Sequence, residues 1–247
     1  MKVTYIGHSG FSVEWEQAVL VFDYYNGEMP AFPTDKPIYV FASHKHQDHF
    51  SHAIFELAKK YESVTFVLSK DCKMNAKYMD RIGVPKEAKE HILYMGAHEN
   101  LTLPLGENTL QIETLDSTDE GVAWIVSFGD IGLYHAGDLN WWTWIGEESE
   151  EEYQDMTARY MAELEKIRGR VFDVAFVPLD PRQGERYYWG LDAFMRHADA
   201  NVVFPMHFWE DYRVFNRIME CPAAADYQER LMCLEKMGQS FEIGGKK

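Results

Sequence analysis

Ser43-His44-Lys45-His46-Gln47-Asp48-His49-Phe50 follows directly on the apolar run Ile38-Tyr39-Val40-Phe41-Ala42. Five apolar residues rich in β-branched and aromatic side chains read as a buried strand, and residues 51–61 beyond the cluster read as a helix. Three histidines and an aspartate therefore fall on a strand-to-helix loop, where a rigid scaffold presents chemistry. Neutral imidazoles and a carboxylate together suit a borderline divalent ion such as zinc. His-x-His-x-Asp-His arises by chance in roughly one sequence in a thousand of this length, so the cluster reads as a metal site rather than an accident.

Upstream, short apolar runs at 3–6, 11–15 and 19–22 predict an antiparallel meander. Its first turn, Gly7-His8-Ser9-Gly10, carries His8, and its third strand closes at Asp23, so both residues can face one rim of the sheet. Downstream, a strand at 64–68 and a helix at 71–81 continue an alternation typical of layered α/β folds. Strands follow at 92–95, 101–105, 109–115, 122–128 and 131–135. The acidic run at 147–152 precedes Tyr153, Met156, Tyr160, Met161, Leu164 and Ile167 at helical spacing, with Ser149 and Glu152 placed as a capping box and Gly169 as the stop. The run is thus a solvated helix start favoured by the helix dipole, not a metal site. A strand at 171–177, a helix at 191–197, a strand at 202–206 and a closing helix at 226–237 complete the pattern, with no repeat or linker.

The chain has 247 residues, 46% of them hydrophobic, enough for a large core; one domain over 1–247 is expected. Forty acidic against 24 basic residues give a formal charge of −16, which repels phosphate backbones and argues against nucleic acid as a partner. No run resembles a signal peptide or a membrane span, so a cytoplasmic protein without membrane contact is expected. Cys72, Cys221 and Cys233 are odd in number and widely spaced, which fits reduced thiols. Homo-oligomerisation stays open.

A hydrolytic metal site needs further donors where strands end. Tyr134-His135-Ala136-Gly137-Asp138 closes one strand with a Gly-Asp pair, and Val203-Phe204-Pro205-Met206-His207 closes another with a histidine. Each is ordinary alone, since Asp after Gly is common turn chemistry. Beside the first cluster they become candidate ligands.

With these residues in place the chain resembles the metallo-β-lactamase superfamily. Its hallmark is similar to His44, His46, Asp48 and His49, its bridging aspartate to Asp138, and its last histidine ligand to His207. The segments around His8, Asp23 and His135 look like the lactonase-like branch that includes L-ascorbate-6-phosphate lactonases. The likeness implies an αββα sandwich, two mixed β-sheets flanked by helices, with two metals on one edge. It also implies a second metal position built from Asp48, His49, Asp138 and His207. One departure stands out. The family supplies another histidine just before the strand at 122–128, and this chain has Asp116-Ser117-Thr118-Asp119-Glu120 there. The first position is left with His44, His46 and Asp138, supplemented by Asp119 or Glu120. A carboxylate for an imidazole shifts preference toward harder ions. One or two zinc ions are expected, with manganese or iron as alternatives and the second position the tighter.

The expected chemistry is hydrolysis of a small ester, lactone or phosphate ester by a metal-activated water. The resemblance implies that Asp48 both ligates and orients the water, and the leaving-group proton is expected from a metal-bound water or from His8 or His135; His135 reads equally well as a residue that holds the loop. Trp141 and Trp142, in a run with three of the seven tryptophans, suggest an aromatic wall for a small-molecule substrate. Arg182 can hold a carboxylate or phosphate, or make a surface ion pair. Two other readings stand beside this one: a nucleotide phosphodiesterase, and a non-catalytic metal-binding protein with a degenerate first position.

Overall fold

Successive residues of the strand at Val19–Phe22 are buried on opposite faces, and this explains why the sequence runs apolar without a break. Leu20 and Phe22 join one core with Tyr39, Phe41, Trp124 and Phe176, whereas Val19 and Val21 join a second with Ile38, Val40, Ile54 and Phe55. Strands covered on both faces lose the apolar-polar alternation. A computed structural model describes residues 1–244. Its first half contains β1 (Lys2–Gly7), β2 (Gly10–Glu14), β3 (Val19–Phe22), β4 (Ile38–Ala42), α1 (Leu57–Lys60), β5 (Val64–Ser69), α2 (Ala76–Arg81), α3 (Lys86–Lys89) and β6 (Ile92–Met95). The second half contains β7 (Asn100–Leu105), β8 (Asn108–Asp116), β9 (Val122–Phe128), β10 (Ile131–His135), α4 (Glu150–Lys166), β11 (Val171–Pro178), α5 (Trp189–His197), β12 (Asp199–Met206), α6 (Arg213–Met219) and β13 (Ser240–Glu242).

The strands form two sheets, ordered β13-β1-β2-β3-β4-β5-β6 and β12-β11-β10-β9-β8-β7. Both are mixed: β3 to β6 run parallel, as do β10 to β12, and the remaining pairs are antiparallel. The inner faces meet through Phe11 and Phe176, whose ring centroids lie 4.5 Å apart, and through Phe41 and Trp124 at 5.4 Å. Outside, Leu57 and Ala88 cover the first sheet, and Tyr134 of the second stacks on Phe194 of α5 at 4.8 Å. This is the expected αββα order. Burying each such large apolar side chain contributes about 1.5–3 kcal/mol, so the layers set the register.

Helix α4 begins as expected: Ser149 and Glu152 form a reciprocal capping box. Three other expectations need correction. Residues 51–61 form a 3₁₀ turn, His52–Glu56, before the short α1. The helix expected over 71–81 starts only at Ala76, where the Asn75 side chain accepts from the Tyr78 N–H. No helix spans 226–237. There Met232 N–H donates to Val203 O at 2.8 Å, Leu231 bridges to Val203 in parallel, and the chain returns as β13 to pair with β1. Backbone groups used on a sheet edge are not free for a helical ladder. Among the described residues no helix is long and apolar enough to cross a membrane.

Candidate metal centre

Parallel strands deliver their C-terminal ends to one edge, and every donor of the centre lies there. β3 and β4 run side by side and end just before Asp23 and Ser43-His44. β10, β11 and β12 are parallel neighbours, followed by Asp138, Asp180 and His207. Crevices outside carboxyl ends of strands are where open α/β sheets place ligands. Close approach between the two edges needs glycine. Gly137 sits at φ +52°, and a Cβ on it would lie 2.6 Å from Ser43 Cβ. His8, Asp23 and His207 also hold positive φ, at 53°, 42° and 61°. Such strain in non-glycine residues clusters at functional sites.

Two donor groups result. His8, Asp48, His49 and His207 each offer an atom within 4.8 Å of the others, and His44, His46 and Asp138 do likewise. Asp138 joins them: Oδ2 lies 3.4 Å from His44 Nε2, while Oδ1 lies 3.1 Å from His49 Nε2 and 3.4 Å from His207 Nε2. His8, read from sequence as a candidate proton donor, therefore stands in the second donor group, with Nε2 3.4 Å from Asp48 Oδ2.

Oxygen acceptors fix which ring nitrogen faces inward. His49 Nδ1–H donates to Asp23 Oδ2 at 2.7 Å, and His207 Nδ1–H to Asp180 Oδ2 at 3.1 Å. Ser43 has one hydroxyl proton and gives it to Asp23 Oδ2 at 2.6 Å, so its oxygen accepts from His44 Nδ1–H at 3.0 Å. All three rings thus turn Nε2 toward Asp138. Four buried atoms here, Nε2 of His8, His44 and His49 and Oδ1 of Asp138, have no hydrogen-bond partner among the described residues. An unsatisfied buried polar atom costs about 1–3 kcal/mol, so four converging ones fit a cation that completes them. The donors, imidazole nitrogens and carboxylates, suit zinc or a neighbouring divalent ion.

The charges agree with that fit. Burial pushes the His8 and His44 imidazoles down, which keeps their lone pairs free. At His49 burial works the same way, but Asp138 and Asp23 outweigh it and hold its pKa well above the ordinary value, so positive charge is favoured between them. Burial would raise Asp138, yet His49, His207 and His44 hold it well below the usual carboxylate range. Asp48 is also lowered: the contacts with His8 and His49 outweigh burial.

The centre opens into a cleft of about 480 Å³ lined by His46, Asp48, Asp119, Trp142, Trp144 and Trp209, among others. Trp142 lines this cleft, with its Nε1–H donating to Asp138 O at 2.9 Å. Trp141 does not. Its ring packs on Trp189 at 5.2 Å and its Nε1–H donates to Thr157, so it pins α4 and α5 instead. His135 is also corrected as a cleft proton donor: it is fully buried, stacks on Phe22 at 5.0 Å, donates Nε2–H to Ser9 O and accepts from Gly137 N–H. It holds the Gly137 loop. Arg182 lines the cleft but is committed, forming a fork with Asp180 and lying 4.7 Å from the Trp209 ring centroid. Asp119 approaches His46 Nδ1 at 3.9 Å. Sequence reading gave no role to Asp180 or Trp209. Each lies within two residues of the end of β11 or of His207, and that adjacency was the available clue.

Fold, donor groups and relatives together place the chain among the metal-dependent hydrolases of the metallo-β-lactamase superfamily. Residues 2–143 match the family described as Beta-lactamase superfamily domain, and the chain belongs to it. It is 34% identical over 84% of its length to a UPF0173 metal-dependent hydrolase of Desulforamulus reducens, covering 84% of that protein. A UPF0173 metal-dependent hydrolase of Opitutus terrae is 26% identical over 84% of the chain and 85% of its own length. Among solved structures, Igni18, a metallo hydrolase of Ignicoccus hospitalis, superposes with TM-score 0.60 at 20% identity, covering 98% of this chain and 99% of that one. The metallo-beta-lactamase fold protein YhfI of Bacillus subtilis gives 0.56 at 15% identity, covering 97% and 98%. These two likenesses concern the fold.

Proposed function

We propose that the chain hydrolyses a small ester or lactone, or a phosphate ester, with one face of the substrate against Trp142, Trp144 and Trp209. The observation that carries this reading is the set of unpartnered buried donor atoms around Asp138, at the floor of a cleft with an aromatic wall. The second donor group would hold zinc through His8, Asp48, His49 and His207, and the first would hold an ion through His44 and His46, with Asp138 shared. Bound divalent ions lower the pKa of water toward about 7 and polarise the oxygen of the bond under attack. The remaining work belongs to the chain. Asp48, kept ionised and a quarter exposed, accepts a hydrogen bond from the attacking water and orients it. The water adds to the carbonyl or phosphoryl centre and gives up a proton, the bond to the leaving oxygen breaks, and that oxygen takes up the proton the water released. The tryptophans exclude bulk water from the substrate's apolar face.

Asp119, Glu147, Glu148 and Glu152 all line the cleft. Arg186 pairs with Glu148, but the charge of Asp119, Glu147 and Glu152 favours neutral esters and lactones over phosphodiesters, and Arg182 offsets little of it because Asp180 already holds it. A panel of lactones, carboxylic esters, phosphomonoesters and phosphodiesters, assayed with zinc, manganese and iron(II), tests the reading. Turnover of a neutral ring ester or lactone at least about tenfold above any nucleotide phosphodiester is expected, a difference of about 1.4 kcal/mol in barrier. Preferred phosphodiester cleavage would favour the nucleotide reading, and full metal occupancy without turnover of any class would favour a non-catalytic metal protein.

A further inference from the structure

The segment between β8 and β9 stands where the first donor group lacks a third imidazole, and backbone contacts fix it there. Gly121, at φ +75°, presses so close to the histidine loop that a Cβ on it would meet Ser43 O at 1.9 Å. Val122 N–H donates to the same carbonyl at 3.0 Å. On the other side Thr118 Oγ1 donates to Asn140 O at 2.6 Å, and the Arg159 guanidinium donates to Thr118 O at 2.9 Å. Asp119 and Glu120 are thereby set on opposite edges of the His46 ring: Asp119 Oδ2 lies 3.9 Å from Nδ1, and Glu120 Oε2 lies 3.8 Å from Nε2.

The two carboxylates are not equivalent. Asp119 lines the cleft together with His46, Asp48 and Asp138, and Glu120 is held by Lys45 Nζ at 2.6 Å. Recruiting Glu120 to an ion would break that pair. Recruiting Asp119, whose side chain has only His46 as an ionic neighbour among the described residues and is 50% exposed, breaks no such pair. Its carboxylate lies outside the close group formed by His44, His46 and Asp138, and a side-chain rotation brings an exposed aspartate to a neighbouring donor position.

We propose that Asp119 is the fourth donor to the first metal position, beside His44, His46 and Asp138, and that Glu120, clamped by Lys45, accepts the His46 Nε2 proton so that Nδ1 faces the centre. The proposal rests on the metal-dependent hydrolase reading. His46 then follows the same rule as His44, His49 and His207, one nitrogen inward and the other on an oxygen, with the nitrogens exchanged. Imidazole-bound metals depend on such acceptors for ring orientation. Two carboxylates with two imidazoles make a harder set than three imidazoles, so this position discriminates less between zinc and manganese than the second one does.

The test is metal titration of the stripped full chain against a fluorescent chelator, with zinc and separately with manganese, for wild type, Asp119→Ala, Asp119→His and Glu120→Gln. Wild type is expected to bind two zinc ions in a tight and a weak class. Asp119→Ala should weaken the weak class at least about tenfold and leave the tight class unchanged; Asp119→His should tighten zinc there and reduce manganese binding. Glu120→Gln should weaken the same class about threefold, less than Asp119→Ala, without moving the melting temperature of the metal-free chain. Two classes unaffected by Asp119→Ala would overturn this proposal alone, as would loss of the weak class in Glu120→Gln but not in Asp119→Ala. A wild-type chain that binds no metal would overturn the functional reading as well.

Discussion

Asp23 serves both halves of the centre at once. Its Oδ2 accepts from His49 directly and from His44 through Ser43, while Oδ1 accepts Ser43 N–H at 2.7 Å. Among the described residues the Asp180 carboxylate serves only His207 and Arg182. Asp23→Asn should therefore lower affinity at both metal positions, by about 10–100-fold, whereas Asp180→Asn should do so at the second position alone. Zinc competition titrations of the two variants check this. Equal loss at both positions in Asp180→Asn would contradict the assignment. At this scale the residues that form the two donor groups were legible in the sequence, because His44, His46, Asp48 and His49 lie within six residues and Asp138 and His207 end recognisable strands. Residues that act through another residue were less legible. Asp23 touches Ser43 and His49 only because β3 and β4 lie side by side, and a pairing across twenty residues leaves no local pattern.

At the scale of elements, the loop after β10 has to pass over Ser43, and Gly137 makes that passage. With φ +52° and a would-be Cβ 2.6 Å from Ser43 Cβ, Gly137→Ala meets both a backbone and a steric penalty. It should destabilise the chain by more than about 1 kcal/mol and displace Asp138, so that metal affinity falls further than stability does. Thermal melts of the metal-free variant, read beside its zinc affinity, check both parts. Unchanged affinity would mean the loop does not need this close approach. Strands were legible because their apolar runs are short and bounded by glycine, proline and acidic residues. The helices at 51–61 and 71–81 were over-extended, since periodicity does not reveal that Asn75 restarts the second one. The expected helix at 226–237 failed for a tertiary reason: Leu231 and Met232 are taken by the edge of β12, a contact invisible to local pattern.

Across the whole molecule, the candidate metal centre ties the two sheets together, since Asp138 comes from one and His44 and His49 from the other. Ions bound there stabilise the folded chain by mass action, about 4 kcal/mol at a thousand times the dissociation constant. Removing them should lower the melting temperature by on the order of 10 °C, checked by calorimetry with and without chelator. The αββα order follows from apolar layers that the sequence displays, yet the resemblance to a known superfamily was needed to assign it, because strand order across 247 residues is not a local property. One carboxylate, Asp138, is proposed to join two unequal metal positions. The most direct test is the zinc content of wild type and Asp138→Ala after exhaustive dialysis, with circular dichroism to establish that both are folded. At least one retained zinc per wild-type chain and clearly less in the folded variant are expected; a folded variant that keeps the wild-type content would contradict the sharing of Asp138 between the two positions.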